Sequence, residues 1–123
     1  VASAQVKSAL VLAALYARGE SRITELLPTR DHTERMLSLF KADIRKRGLS
    51  VVISRSAGLY SPRELFIPSD FSSASFFIVM GLVTKGSRLL IRDVNINPTR
   101  CGLIRVLRRM GGKIRVINKK DAY

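Results

Sequence analysis

The sequence predicts an α/β (α+β) fold made of two copies of one unit, each running helix, strand, helix, strand, strand in a βαβαββ-type pattern. Three observations carry that expectation. The stretch from Ser3 to Arg45 is echoed from Ser73 to Arg115: Gly19 and Gly86 are 67 positions apart, and the Pro-Thr-Arg triplets at Pro28 and Pro98 are 70 apart. The second copy thus carries three extra loop residues, after which Leu37 matches Leu107, Phe40 matches Met110 and Ile44 matches Ile114. A period of this length marks repetition of one supersecondary unit. Within each copy the apolar spacing switches between helical and extended periods, and glycine or proline stands near each switch. The expected division is residues 1–67 for the first unit and 68–123 for the second.

The first helix is expected over Ser3 to Ala17, where Val6, Ala9, Leu10, Ala13 and Ala14 recur at helical spacing and Gly19 closes the run. Ser21 to Leu26, rich in β-branched residues, reads as a strand. Pro28-Thr29-Arg30 is a loop, and a second helix follows from about His32 to Lys41, with Met36, Leu37 and Phe40 on one face. Asp31 with Glu34 three residues on resembles a capping box, Asp standing in for Ser or Thr. Ile44 opens an extended stretch, Gly48 permits a turn, and Leu49 to Ser54 is the apolar return strand. Ser56 to Pro62 is a loop, and Leu65 to Ile67 a short strand.

The second copy reads likewise: a helix over about Ser72 to Val83, a strand over Ser87 to Val94, a loop over Asn95 to Asn97 and a helix over Pro98 to Met110. Asn97 is the candidate N-cap with proline at the first helical position. Gly111-Gly112 ends that helix, and Lys113 to Ile117 closes the unit as a strand. Alternation of strands and helices predicts mixed sheets with right-handed crossovers.

The chain has the composition of a globular protein, and no run approaches the ~20 apolar residues of a membrane span. With no initiator Met and no leader pattern, Val1 reads as a cut end and the chain as an excised piece. Cys101 is the sole cysteine, which rules out an internal disulfide framework and agrees with a reducing cytoplasm. It reads as a small apolar filler; a nucleophile needs a base, and the one histidine, His32, lies in the other copy. No Cys, His, Asp and Glu cluster has metal-ligand spacing, and no cofactor is implied. The net charge of +13 favours anionic partners, either small phosphates or nucleic acid. The densest basic stretch, Arg105 to Lys120, has no interleaved aromatic residue and so no stacking platform for single strands.

At SAQVKSAL, PTRDHTERML, IPSDFSSASFF and NPTRCGLIRVLRRMG the chain closely resembles the 5-enolpyruvylshikimate-3-phosphate synthase family. Four motifs in the family's order and spacing are far more specific than any one of them. The resemblance implies a place in one lobe, an inside-out barrel, of a two-lobe enzyme whose lobes each hold three βαβαββ units. It implies transfer of the enolpyruvyl group of phosphoenolpyruvate to the 5-hydroxyl of shikimate 3-phosphate, through a tetrahedral intermediate, with phosphate released. It implies a monomeric, cytoplasmic enzyme whose partners here are those two substrates and the remainder of the synthase chain, not nucleic acid or membrane. The acid–base carboxylate and the phosphoenolpyruvate arginines of the family lie on sequence outside this chain. The competing readings are a basic nucleic-acid-binding module and a non-catalytic remnant of the synthase. Two departures stand out: Ser69-Asp70 replaces the usual Gly-Asp, and Phe40-Lys41-Ala42 the usual Phe-Gly-Ala, so the turns at these points are expected to be strained or altered.

From the residues alone, Ser3 reads as an ordinary N-cap and Arg30 as a surface arginine. The resemblance assigns Ser3, Ala4 and Gln5 to shikimate 3-phosphate, with Gln5 also near phosphoenolpyruvate, and Arg30 to the phosphate of shikimate 3-phosphate. The chemistry suits them: a helix N-terminus offers unpaired N–H groups to an anion, and a guanidinium meets a phosphate bidentately. Thr29 is a lesser candidate. His32 is expected to be structural, Lys7 to be solvated, Arg100 to be architectural, and Asp70 with Ser72 and Ser73 to form the loop and cap of the third helix.

Overall fold

A computed structural model describes residues 2–119. Contacts divide the chain into two compact units, the first ending at Leu65 and the second opening at Phe66.

The first unit runs α1 (Ala4–Ala14), β1 (Glu20–Thr24), α2 (His32–Leu39), β2 (Ile44–Arg47) and β3 (Ser50–Ser54). Its sheet has the order β1-β3-β2. The pairing is antiparallel on both sides of β3, with Ser21 opposite Ile53 and Ile44 opposite Ile53. The ladders are therefore not mixed, as the strand and helix alternation suggested. The crossover through α2 joins β1 to β2, which run in the same direction with β3 between them. Gly48, at φ +60, makes the tight turn between β2 and β3, a conformation open to glycine at no steric cost.

As the central strand, β3 is buried over Val51, Val52 and Ile53. Val51 and Ile53 join Val11, Ala14, Leu15 and Leu37 in the core, while Val52 has Arg22 and Arg45 as ladder partners. The core face of α1 is Lys7, Val11 and Ala14. This corrects the expected stripe, because Val6, Ala9, Leu10 and Ala13 are all exposed. The helix is apolar nearly all round, so periodicity cannot choose its inward side. On α2, Leu37 is buried as expected, but Met36 is half exposed and the other inward residue is Glu34.

The second unit contains α3 (Phe71–Val83) and α4 (Gly102–Arg109), with Phe71, Ala74 and Ile104 buried. Here the repeat departs from expectation. The strands foreseen over residues 87–94 and 113–117 do not form ladders among the described residues; the one pairing is a bridge between Ser69 and Val94. Residues 65–67 likewise carry no strand. β-branched content supplies a pleated surface, but a strand exists only where a partner takes its N–H and C=O groups. Pro98 to Cys101 forms a turn before α4, so that helix starts four residues later than foreseen. Asn97 is therefore not the N-cap of α4, which is Cys101 with no side-chain cap bond; its Oδ1 instead closes the preceding turn, accepting the Thr99 N–H at 2.9 Å.

The repeat is faithful at its helix ends. After α2, Lys41 lies at φ +62, its N–H donating to Ser38, and Ala42 N–H donates to Leu37 O at 2.9 Å. After α4, Gly111 lies at φ +89, its N–H donating to Arg108, and Gly112 N–H donates to Leu107 O at 2.8 Å. These are the same Schellman closure, in which the residue at positive φ is ordinarily glycine. Lys41 is thus the altered turn the sequence pointed to. Ser69 is not: among the described residues, those other than glycine at positive φ are Lys41, Asp93 and Asn118.

Candidate anion-binding site

The start of α1 is built to present donors. Ser3 is its N-cap, with Oγ accepting the Val6 N–H at 3.4 Å and donating to Gln5 Oε1 at 3.3 Å. The first intrahelical bond is Lys7 N–H to Ser3 O, at 3.0 Å. The N–H groups of Ala4 and Gln5 fall in the first turn, where the helix supplies no acceptor. No acidic residue lies in that turn, so the positive end of the helix dipole is not neutralised from within.

Arg30 lies in the loop between β1 and α2 and is half buried. Among the described residues its guanidinium has no ion pair. Next to it, Thr29 is held firmly: its N–H donates to Glu25 Oε1 at 3.2 Å, and its hydroxyl donates to the same oxygen. Burial pushes the Glu25 carboxyl up, but the bonds from Thr29 and the Lys7 ammonium outweigh it and hold the group below its ordinary value.

The buried partner of this arrangement is Lys7, expected to be solvated and found 3% exposed. Its Nζ lies 3.2 Å from Glu25 Oε1 and 2.6 Å from Glu34 Oε1. Glu34 is therefore turned to Lys7, and the capping box at Asp31 is not made; Asp31 caps no N–H with its side chain and instead pairs with Arg35 at 3.1 Å. A charged pair inside the unit outweighs an exposed cap because a buried ammonium without a carboxylate is far costlier than a frayed helix end. The signal for this trio was faint: a lysine set among apolar residues all round a helix, and acids that are scarce in a basic chain. Ser8 Oγ and Thr33 Oγ1 add a second link between α1 and α2, at 2.6 Å.

The matching place in the second unit is occupied. Asp70 caps α3, its Oδ2 accepting the Ser73 N–H at 2.8 Å and the Ser73 hydroxyl at 3.0 Å. Arg100 donates to Ser72 Oγ and lies 3.9 Å from Asp70 Oδ1. These bonds hold the Asp70 carboxyl below its ordinary value, the Ser73 and Ser72 N–H groups first. Arg100 has the architectural part expected of it. Burial pushes the Cys101 thiol up, against the pull of Arg105 and Lys119. His32 opens α2 as an exposed side chain.

Comparison with known proteins fixes the family. The profile of EPSP synthase (3-phosphoshikimate 1-carboxyvinyltransferase) matches residues 1–122.

The chain belongs to the EPSP synthase family.

A 3-phosphoshikimate 1-carboxyvinyltransferase of Petrotoga mobilis is 57% identical over 120 residues, covering 98% of this chain and 28% of its own length. That of Geobacter metallireducens is 50% identical over 121 residues, again covering 98% and 28%. The solved EPSP synthase of Acinetobacter baumannii superposes with a TM-score of 0.91 at 44% identity, over 99% of this chain and 28% of that one. The chain thus spans about 28% of the length of the curated relatives it matches. Among the described residues, no helix is long and apolar enough to cross a membrane.

Proposed function

We propose that this chain is a segment of a cytoplasmic 3-phosphoshikimate 1-carboxyvinyltransferase and supplies part of its shikimate 3-phosphate site. In the whole enzyme the enolpyruvyl group of phosphoenolpyruvate passes to the 5-hydroxyl of shikimate 3-phosphate. A C–O bond forms to the enolpyruvyl carbon, and the C–O bond to phosphate breaks as phosphate leaves. Ser3, Ala4 and Gln5 bind shikimate 3-phosphate through hydroxyl, backbone N–H and amide donors. Arg30 takes its phosphate in a charge-assisted fork. Proton transfer belongs to other parts of the synthase chain, and the segment acts as a binding surface within a monomer.

One observation supports this most: in a family member, a half-buried arginine with no ion pair among the described residues stands in the loop fastened through Lys7 to a helix start with open donors. An internal carboxylate fills the equivalent place in the second unit, so the first is the one available to a ligand. The test is phosphate release from phosphoenolpyruvate by the complete protein that carries this segment. Release that requires shikimate 3-phosphate is the expected result; release that ignores it, or none with both substrates, would end the proposal.

A further inference from the structure

We infer that Lys7 and Glu25 are positioning residues, a buried ionic strut that fixes the Thr29-Arg30 loop relative to the start of α1. The inference rests on the function proposed above, since it concerns how that site is held.

The connections run in sequence. Ser3 O accepts the Lys7 N–H. The Lys7 side chain enters the interior and meets Glu25, at the exit of β1, at 3.2 Å. The same Glu25 oxygen takes both donors of Thr29, and Arg30 is the next residue. Glu34, at 2.6 Å, anchors the ammonium from the first turn of α2. All three charged groups are buried, with Lys7 3%, Glu25 9% and Glu34 6% exposed.

Packing alone does not call for these charges. Seventy positions on from Glu34 stands Ile104, also 6% exposed. An aliphatic residue therefore fills the same core position in the other unit. A buried ion pair is often no more stabilising than a well-packed apolar substitute. What charge adds is direction: a loop backbone N–H and hydroxyl are held at one carboxylate oxygen, which no aliphatic contact can do. Neither Lys7 nor Glu25 is placed to touch the ligand in this scheme; they act through Thr29 and Arg30.

The two carboxylates separate positioning from plain stability, because both pair with Lys7 but only Glu25 holds the loop. In the complete synthase, Glu25→Gln is expected to raise KM for shikimate 3-phosphate about tenfold, within the range that a misplacement of about 1 Å produces, while KM for phosphoenolpyruvate stays nearly constant. Glu34→Gln is expected to lower the melting temperature and to change KM for shikimate 3-phosphate less than about twofold. Amide exchange gives a readout independent of turnover: the Thr29 N–H should exchange faster in Glu25→Gln and at the parent rate in Glu34→Gln. Equal changes in KM for the two variants, or unchanged Thr29 exchange in Glu25→Gln, would overturn the strut. A parent protein without shikimate 3-phosphate-dependent turnover would instead strike the functional reading, and the exchange measurement would still decide whether the strut exists.

Discussion

Both units carry a Pro-Thr-Arg turn between a helix and its successor, and they spend the arginine differently. In the second unit Arg100 is engaged by Ser72 and Asp70, and Asp70 fills the start of α3 with its own carboxylate. In the first, the start of α1 has no acidic residue and Arg30 has no ion pair among the described residues. A motif that satisfies itself serves as a cap; the same motif without its internal anion leaves donors and a cation for something else. The difference between the copies turns on one acidic residue, Asp70.

The largest expected effect tests the cores. Leu37, 3% exposed, lies between α2 and the sheet, so Leu37→Ala should cost about 2–5 kcal/mol in chemical denaturation. Its counterpart Leu107 is only half buried, and Leu107→Ala should cost clearly less. Equal losses would mean that the two cores are better matched than their burial indicates.

Next comes the arginine pair itself. Arg30→Ala in the complete synthase should weaken shikimate 3-phosphate binding by about 1.5–3 kcal/mol, the range for a charge-assisted contact, with little change in melting temperature. Arg100→Ala should leave affinity nearly unchanged. Calorimetric titration of both variants settles the contrast, and equal affinity losses would remove the assignment of Arg30.

The helix closures offer a gentler comparison. Lys41 and Gly111 hold the same Schellman position at φ +62 and +89, and a left-handed conformation costs a residue with Cβ about 1 kcal/mol or more. Lys41→Gly should therefore raise the denaturation midpoint, and Gly111→Lys lower it, each by about 1 kcal/mol. A destabilised Lys41→Gly would show that the lysine side chain contributes something beyond its backbone.

The mildest effect is on acid stability. Because Glu25 is held below its ordinary value when folded, its contribution is present above the unfolded carboxyl value of about 4.3 and fades as pH falls through the lower folded value. The stability gap between the parent and Glu25→Gln should accordingly be constant near neutrality and narrow only in acid. A gap that widened on acidification would reverse the sign of the shift.

These contrasts also mark what was legible in the sequence. The repeat landmarks gave the order of elements in the first unit, because glycine and proline act locally and leave the same mark wherever they stand. Lys41 and Asp70 were readable for the same reason: a turn position and a cap depend on neighbours a few residues away. The inward face of α1 was not readable, since a helix apolar on every side has no preferred direction until something packs on it. The Lys7, Glu25 and Glu34 cluster joins three segments, and no local pattern announces such a meeting. That the described residues of the second unit form no ladder follows from the same limit: strand propensity belongs to a segment, whereas pairing belongs to two.

The order of strands in the first unit also has a kinetic consequence. β2 and β3 are separated by two residues, Gly48 and Leu49, so their pairing closes a minimal loop. β1 must find the other edge of β3 across the whole of α2, with Thr24 meeting Ser50 at the near end. Loop-closure entropy rises with the length enclosed, and local hairpins close within microseconds. The hairpin is therefore expected to form first, with β1 joining it later. Substitutions in the hairpin should slow refolding, whereas those in β1 should chiefly hasten unfolding.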